Sequence, residues 1–360
     1  MSKIKVIVVD DSVFMRKILS DMINSHPNIE VIDTAKNGEE AIEKVKKQDP
    51  DVVTLDVEMP KMDGITALQE LMKVSPVPVL MLSSLTKEGA DATIKALQYG
   101  AVDFIAKPSN IFKINVEDTK KELLRKIIIA SKIEFRKKAF NDIHSLNMSK
   151  RIDHSKNKIS IQNRSGSKGE TKKIVAIGTS TGGPRALQVL LPNIPKNINA
   201  SFVIVQHMPP GFTKSLADRL DSMSEINIKE AEHNDTLLPG HAYIAPGDRH
   251  MEVVKEGNKF KIKLNNNPTV SGHRPSVDVL MNSLASMGID NIIGVILTGM
   301  GADGAKGLKK IKENSGYIIA QDEASCVVFG MPKSTIKLGV VDKVLPIHDI
   351  SHEIIKAVEV

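Results

Sequence analysis

Apolar and polar residues follow two distinct rhythms over the first 124 residues of the chain. Short apolar runs rich in β-branched residues predict five strands, at residues 5–9, 30–35, 52–55, 79–82 and 103–106. Stretches with apolar residues at helical spacing predict helices, at residues 12–25, 39–47, 66–74, 88–99 and from 116 to about 139. Five strand–helix units of this length predict a flavodoxin-like α/β domain, with a five-stranded, parallel, doubly wound sheet covered by helices on both faces.

The same kind of pattern returns from residue 173 to residue 360. Apolar runs predict strands of a second doubly wound α/β domain, at residues 174–177, 201–206 and 292–298. Pro184 opens a helix shortly after the first of these strands. Two further runs predict a β-hairpin beside the parallel sheet, at residues 251–254 and 260–264.

The segment between these domains, residues 125–172, begins as a helical extension and from about residue 140 shows neither strand nor helix periodicity, which predicts a flexible linker. Residues 125–173 hold 14 Lys or Arg and 4 Asp or Glu, so they carry +10 within a chain of net charge +6. A solvated basic linker is favoured over a nucleic-acid-binding tail, because this charge does not belong to a folded face. With no Trp and three Tyr, base-stacking platforms are not expected either.

Composition is ordinary for a globular protein, with 41% hydrophobic and 26% charged residues. No apolar run approaches the roughly 18 residues that a membrane span requires. The N-terminal residues lack a signal-peptide pattern and lead directly into a strand. A single cysteine, Cys326, excludes an intrachain disulfide, so we expect a cytoplasmic protein without membrane insertion.

Polar side chains stand at the ends of four predicted strands of the first domain. Asp10 and Asp11 follow the first strand, Asp56 the third, Ser83 the fourth and Lys107 the fifth. The carboxyl ends of parallel strands share one sheet edge, where three carboxylates repel one another unless a cation such as Mg²⁺ is bound. A nucleophilic carboxylate, a metal, a lysine and a hydroxyl together predict a phosphoryl-transfer site. A helix N-cap or a solvated loop end is the alternative for any single acid.

In the second domain, Ser180, His207 and Asp303 each follow a predicted strand within a few residues. A hydroxyl, an imidazole and a carboxylate at one edge form the set that acyl transfer requires. Ser180 lies in Gly178-Thr-Ser-Thr-Gly-Gly, the strand–turn–helix context of a nucleophile elbow. Backbone amides after Ser180, at Thr181, or near Met300 are candidates for an oxyanion hole.

Other assignments remain open from the residues alone. The glycine-rich turn also suits an anion-binding helix N-terminus. Four more histidines are candidates for the base or for a metal ligand, although a surface or core position is the default for each and no zinc signature is present: His233, His241, His250 and His273. Asp248 and Asp278 are alternatives to Asp303, and Ser276 is predicted to cap a helix through Ala285.

The first domain resembles, over nearly its whole length, the receiver domain of bacterial two-component response regulators. The matching features are Asp10-Asp11, Asp56 after an apolar strand, Met59-Pro60 with Met62-Asp-Gly, Ser83 and Lys107-Pro108. The resemblance implies that Asp56 accepts phosphate from a histidine kinase and that Asp10 and Asp11 help to hold Mg²⁺. It also implies that Ser83 and Lys107 contact the phosphoryl group and that Phe104 is a switch aromatic.

The second domain is similar, nearly end to end, to the catalytic domain of chemotaxis protein-glutamate methylesterases. The shared motifs are Gly178-Thr-Ser-Thr-Gly-Gly, Gln206-His-Met-Pro, Phe212-Thr-Lys-Ser-Leu-Ala, Ala245-Pro-Gly-Asp-Arg-His, His273-Arg-Pro-Ser-Val-Asp, Leu297-Thr-Gly-Met-Gly-Ala-Asp-Gly, and the run from Ala320 to Pro332.

This resemblance implies hydrolysis of glutamate methyl esters, and deamidation of glutamines, on the cytoplasmic domains of chemoreceptors. It implies Ser180 as nucleophile, His207 as base, Asp303 as orienting acid and the Met300 amide as oxyanion donor, with no cofactor in the esterase site. It further implies that the unphosphorylated receiver inhibits the enzyme until Asp56 is phosphorylated.

Two other function classes are disfavoured. A nucleic-acid-binding output lacks a helix-turn-helix pattern after the linker. A nucleotide-phosphate site at residues 178–183 lacks the P-loop Lys-Ser/Thr pair and the acidic ribose partner.

Overall fold

The structure, a computed structural model, describes residues 3–107, 116–133, 173–289 and 291–359. Within these ranges the strands form two sheets and one hairpin. Pro108 and the linker predicted from residue 140 lie outside the described residues. Among the helices that are described, none has the length and apolar character needed to cross a bilayer.

The first sheet has the strand order β2-β1-β3-β4-β5, and β1 runs parallel to both β2 and β3. Its strands are β1 Ile4–Val9, β2 Ile29–Ala35, β3 Val52–Asp56, β4 Val79–Ser83 and β5 Asp103–Ala106. The associated helices are α1 Val13–Asn24, α2 Gly38–Gln48, α3 Gly64–Val74, α4 Lys87–Gln98 and α5 Val116–Ala130. The predicted strands and helices α1–α4 are confirmed, with bounds that differ by no more than two residues.

The prediction of a helix continuing to residue 139 was wrong beyond Ala130 for the residues that the structure describes. Residues 131–133 leave the helix, where Lys132 N–H donates to the Ile129 carbonyl at 3.1 Å and Ile133 N–H donates to that of Ala130 at 3.0 Å. These shorter i to i−3 bonds are typical of a helix end.

Capping side chains explain where the first four helices begin. Ser12, Asn37, Asp63 and Thr86 each accept a hydrogen bond from the backbone N–H three residues further on, at distances of 2.8 to 3.3 Å. These bonds satisfy N–H groups that have no partner inside the helix. The positions at which these four helices begin are therefore determined by residues close by in the sequence.

The second sheet has seven strands in the order β14-β13-β12-β6-β7-β9-β8, and all neighbours in it are parallel. Its strands are β6 Lys173–Thr179, β7 Ala200–Gln206, β8 Asn227–Glu230, β9 His241–Ile244, β12 Ile292–Ile296, β13 Tyr317–Gln321 and β14 Lys343–Leu345. The predicted hairpin is confirmed as an antiparallel pair, β10 His250–Glu256 and β11 Lys259–Asn265.

Six helices follow in the second half of the described chain: α6 Gly183–Leu190, α7 Phe212–Asp221, α8 Val277–Ala285, α9 Ala305–Glu313, α10 Met331–Lys337 and α11 Ile347–Glu359. One core cluster joins alternate side chains of β6 and β7 to the hairpin and to α8, and includes Ile174, Val203, Met251 and Leu280. A Cβ atom on Gly178 would lie 2.3 Å from a methyl group of Val277. Glycine at this position therefore lets the start of α8 pack directly on β6.

The connections reverse direction at one place in each sheet. In the first sheet β1 lies between β2 and β3, and in the second β6 lies between β7 and β12. Such reversals open a crevice at the carboxyl ends of the two central strands, which is where doubly wound folds bind ligands. In this protein, such crevices lie beside the residues that follow β1 and β3 and beside those that follow β6 and β12.

Candidate active site and acidic site

Ser180 stands at the reversal point of the second sheet, in the turn between β6 and α6. Its N–H donates to the Thr298 carbonyl after β12 at 3.1 Å, and its carbonyl accepts from Gly183 N–H at 2.8 Å. Gly182 has a left-handed φ of 79°, and a Cβ on Gly183 would lie 2.0 Å from Oε1 of Gln206. Glycines at these two positions allow the tight turn that presents the buried serine.

His207 follows β7 directly, and its N–H donates to the Thr179 carbonyl at 3.2 Å. Its Nε2 lies 2.8 Å from Oδ2 of Asp303, and its side chain is only 6% exposed. Nδ1 is buried and has no hydrogen-bond partner within the described residues. With Nε2–H donating to a carboxylate, Nδ1 is left as the lone-pair nitrogen that is able to accept a proton.

Within the described residues, the Ser180 hydroxyl makes no hydrogen bond to His207. The two residues are held side by side by their strands, because Thr179 pairs with Gln206 in register and the Gln206 amide donates to the Ser180 carbonyl at 3.0 Å. A looser contact between nucleophile and base is common before substrate binds. The imidazole–carboxylate pair is thus formed directly, while the serine is placed next to it by the sheet.

The Asp303 carboxylate accepts hydrogen bonds from four groups. Three come from the start of α8, namely Ser276 Oγ at 2.8 Å, Val277 N–H at 2.8 Å and Asp278 N–H at 2.9 Å. The fourth is His207 Nε2. Burial by itself would raise the pKa of Asp303, but the hydrogen bond and charge of His207 and the two backbone N–H groups outweigh it, so the pKa lies below its usual 3.8.

Asp278 mirrors Asp303 at the other helix. It lies in the first turn of α8, and its Oδ1 accepts from Gly307 N–H, in the first turn of α9, at 2.8 Å. Each helix N-terminus therefore binds a carboxylate that stands at the start of the other helix. Burial and then the nearby Asp303 charge raise the pKa of Asp278, although the bond from Gly307 opposes them. Asp278 thus supports Asp303 and, among the described residues, makes no hydrogen bond to the imidazole.

The other acids and histidines considered in the sequence make no hydrogen bond to Ser180, His207 or Asp303 within the described residues, apart from Asp278. Asp248 is exposed and pairs with Arg274 at 2.6 Å. His233 accepts from Leu264 N–H, His241 contacts the Pro239 carbonyl, and His250 bridges Ser276 N–H and the Pro268 carbonyl.

His273 differs from the others, because its ring stacks on that of His207 with centroids 3.8 Å apart. The default interpretation of His273 as a surface or core histidine missed this contact. Four polar side chains within six residues, at 273, 274, 276 and 278, were the available signal.

The two candidate oxyanion donors flank Ser180. Thr181 is buried directly after it, and Met300 follows Gly299, whose Cβ position would lie 2.9 Å from Cβ of Ser180. In the described part of the chain, neither backbone N–H donates to a protein acceptor. Both groups are therefore available to a ligand beside the serine.

The acidic residues of the first sheet also come together. Oxygens of Asp10, Asp11 and Asp56 lie within 4.8 Å of one another, and Asp10 and Asp56 are buried. Three carboxylates this close repel strongly unless a cation neutralises them, and an all-oxygen set fits a hard divalent ion. The donor set therefore fits Mg²⁺.

The other residues predicted for the acidic site lie on β4 and β5 of the same sheet or directly after them. Ser83 ends β4, and its hydroxyl donates to the Gly89 carbonyl at 2.9 Å. Lys107 follows β5, and its N–H donates to the Ser83 carbonyl at 2.7 Å. Phe104 lies within β5 and is 3% exposed.

Fold and geometry together define the class of protein: an α/β chain with a serine, a histidine and an aspartate at one sheet edge of its second domain and an acidic sheet edge in its first domain. Comparison with known families agrees with both parts. Residues 175–354 match the CheB methylesterase family, and residues 6–116 match the response regulator receiver domain.

Relatives match along the whole chain. A protein of Pyrococcus horikoshii named protein-glutamate methylesterase/protein-glutamine glutaminase is 50% identical over 99% of this chain and 94% of its own length. One of Geobacillus kaustophilus with the same name is 48% identical over 99% of both chains. The crystal structure of the Thermotoga maritima CheB methylesterase catalytic domain is similar with a TM-score of 0.50 and 50% identity, covering 51% of this chain and 97% of that one. The chain belongs to the CheB methylesterase family and carries a receiver domain.

Proposed function

We propose that this chain is a phosphorylation-regulated protein-glutamate methylesterase and protein-glutamine glutaminase that acts on chemoreceptors in chemotactic adaptation. The observation that carries the proposal is the 2.8 Å contact between His207 Nε2 and Asp303 Oδ2, beside the Ser180 turn. The names of relatives that match over nearly the whole chain support the substrate class.

In the proposed reaction, the Ser180 hydroxyl attacks the ester carbonyl carbon of a receptor glutamate while His207 Nδ1 takes its proton. The negative oxygen of the tetrahedral intermediate accepts from the N–H groups of Thr181 and Met300. The C–O bond to the methoxy group then breaks, and the imidazolium proton leaves with methanol. Water attacks the acyl-enzyme in the same way and releases the free carboxylate; with a glutamine substrate, ammonia is the leaving group.

Asp303 keeps Nε2 protonated and stabilises the imidazolium that forms. Its own anchoring is strong, because three hydrogen bonds from α8 fix both oxygens. The lowered pKa keeps this carboxylate charged at neutral pH. The esterase site requires no cofactor in this mechanism.

For the receiver we propose that Asp56 accepts a phosphoryl group from the histidine kinase of the chemotaxis system. Asp10, Asp11 and Asp56 would hold Mg²⁺, which when bound neutralises charge on the carboxylates and on the phosphoryl oxygens. Ser83 and Lys107 would contact the phosphoryl group, and Phe104 would respond as the switch aromatic. The matched receiver family supports these roles.

The proposed organisation is a receiver at residues 1–124, a helical extension and basic linker at 125–172, and a catalytic domain at 173–360. The family matches support the two outer parts. We propose that the unphosphorylated receiver inhibits the esterase, that the protein works in the cytoplasm, and that it binds neither nucleic acid nor membrane.

Methanol release from methylated receptor, measured with and without a small phosphodonor, tests both halves of the proposal. Ser180→Ala is expected to lose hydrolysis while keeping the wild-type melting temperature. Ser222→Ala, at an exposed serine after α7, is the matched control and should retain full activity.

Asp56→Asn tests the regulatory half in the same assay. This variant should keep basal hydrolysis and lose its stimulation by phosphodonor. A Ser180→Ala protein that still releases methanol would refute the esterase assignment, and stimulation that survives Asp56→Asn would refute the phosphoacceptor assignment.

A further inference from the structure

The imidazole of His207 is held on its edge and on one face by different residues. Asp303 accepts from Nε2 at the edge, and the ring of His273 covers a face, with ring centroids 3.8 Å apart and an angle of 10° between the planes. A separation of this size is van der Waals contact between parallel rings. The proposed mechanism assigns no task to His273.

The segment that carries His273 is braced on both sides. Val270 and His273 exchange two backbone hydrogen bonds, of 2.9 and 3.1 Å, which close a tight turn through residues with positive φ. Arg274, the next residue, binds Asp248 Oδ1 at 2.6 Å and the Asn266 carbonyl at 3.0 Å. The ring of His273 is therefore presented from a turn that hydrogen bonds fix at several points.

The same segment also controls the carboxylate. Ser276, three residues after His273, donates its hydroxyl to Asp303 Oδ1 at 2.8 Å, and α8 begins directly afterwards. One short stretch of chain thus contacts the face of the imidazole and the acid bound to its edge. The positions of the two contacts are coupled through the backbone of residues 273–276.

A stacked ring meets a requirement that the carboxylate alone leaves open. One hydrogen bond at Nε2 leaves the imidazole some freedom to turn about its Cβ–Cγ bond, and such a turn would change the direction in which Nδ1 points. Contact along one face restricts this rotation.

We propose that His273 is a positioning residue of the esterase site, whose ring holds the plane of His207 so that Nδ1 faces Ser180. This inference rests on the proposed function. It concerns the shape of the side chain, so an aromatic ring without nitrogen atoms does the same task. His273 does not act as the base in this proposal. His207 takes that role, because the Asp303 carboxylate contacts the ring of His207.

The test uses the full-length chain with saturating phosphodonor and methylated receptor. His273→Ala should lower kcat by about 10²-fold, the loss typical of a catalytic group displaced by about 1 Å. KM should stay within about threefold, because substrate binding does not depend on the plane of the imidazole. His273→Phe should recover kcat to within about tenfold of wild type, since it keeps the stacked ring.

Two controls separate this inference from other effects. His352→Ala, at an exposed histidine on α11, should match wild type, and Ser180→Ala reports on the proposed function itself.

Nitrogen-15 NMR of the His207 ring provides a readout that needs no turnover. The Nε2–H signal should be sharp in wild type and in His273→Phe, and broadened in His273→Ala.

A folded His273→Ala protein with wild-type kcat would overturn the positioning role, provided that Ser180→Ala is inactive in the same assay. Equal losses in His273→Phe and His273→Ala would also overturn it, because they would show that the nitrogen atoms and not the ring face are needed. If His273→Ala does not fold, the Phe variant decides alone: a hundredfold loss of kcat in a folded protein refutes the proposal.

Discussion

Replacing Asp303 with asparagine removes a buried negative charge and turns one acceptor oxygen into a donor, with almost no change in volume. The wild-type carboxylate accepts four hydrogen bonds, two at each oxygen. Oδ1 accepts from Ser276 Oγ and Asp278 N–H, and Oδ2 accepts from Val277 N–H and His207 Nε2. An amide supplies acceptor capacity at only one of these two places.

Either orientation of the asparagine leaves one backbone N–H of α8 facing an NH₂ group. The buried N–H then lacks its acceptor, which costs about 1–3 kcal/mol of folding free energy. If the NH₂ replaces Oδ1, it faces Asp278 N–H, and the Ser276 hydroxyl rotates to accept. If it replaces Oδ2, it faces Val277 N–H and His207. We expect the free energy of unfolding to fall by this amount in both cases.

The activity of Asp303→Asn depends on which orientation forms. With NH₂ toward His207, the ring must accept at Nε2 and carry its proton on Nδ1, so it has no lone pair for the Ser180 proton; the expected loss in kcat is about 10⁴-fold. With oxygen toward His207, the tautomer survives and only the charge is lost. An effect of about 1.4 kcal/mol, or about tenfold, is then expected from the weaker hydrogen bond.

Methanol-release kinetics and urea unfolding of the same Asp303→Asn sample provide the two magnitudes. The lowered pKa of Asp303 means that its ionised form stabilises the fold at every pH above the usual value of 3.8. The stability difference from wild type should therefore be constant across neutral pH and should shrink only as pH falls below about 4. A folded variant with less than a fivefold loss of kcat, or with wild-type stability at pH 7, would refute this reasoning.

Three further predictions concern other groups. Gly183→Ala should lose both esterase activity and about 1–3 kcal/mol of stability, because its Cβ would lie 2.0 Å from Gln206 Oε1; an active variant of normal melting temperature would contradict the tight-turn argument. Burial, followed by the charge of Asp322, raises the pKa of Cys326 to about 12, so iodoacetamide at pH 8 should label the native protein far more slowly than the urea-unfolded one, and equal rates would count against it. Burial raises the pKa of Tyr243 from 10.0 to about 12, so the unfolded chain loses this proton first and stability should fall by about 2 kcal/mol from pH 10 to 12. Tyr243→Phe should show a flatter decline over that range, and an unchanged slope would argue against the assignment.

Local periodicity accounts for most of the secondary structure. Side-chain alternation and capping residues depend on neighbours within a few positions, so the strands and the first four helices of the receiver follow from the sequence to within two residues. The short strands β8, β9, β13 and β14 were not predicted. Three of them, β8, β9 and β14, have only three or four residues. A run this short is not long enough to show a periodic pattern of apolar residues.

Motif reasoning also placed polar groups at strand ends, since a strand followed by a glycine-rich turn is a local signal. Ser180, His207 and Asp303 were found in this way, and likewise Asp10 and Asp56. Spacing alone leaves the choice among Asp303, Asp278 and Asp248 open, and it is the family resemblance that indicates Asp303. His207 and Asp303 are 96 positions apart, and their contact depends on how the start of α8 meets the start of α9.

The sequence by itself therefore determined the elements, the two α/β regions and the residues able to do chemistry, because each of these depends on backbone geometry over a few residues. Tertiary structure alone decided which of those residues meet. Placement of β12 on the far side of β6 brings Asp303 to the imidazole, and the turn at residues 270–273 brings a second histidine against its face. Strand order and helix packing are set by contacts between distant segments, and no local pattern records them.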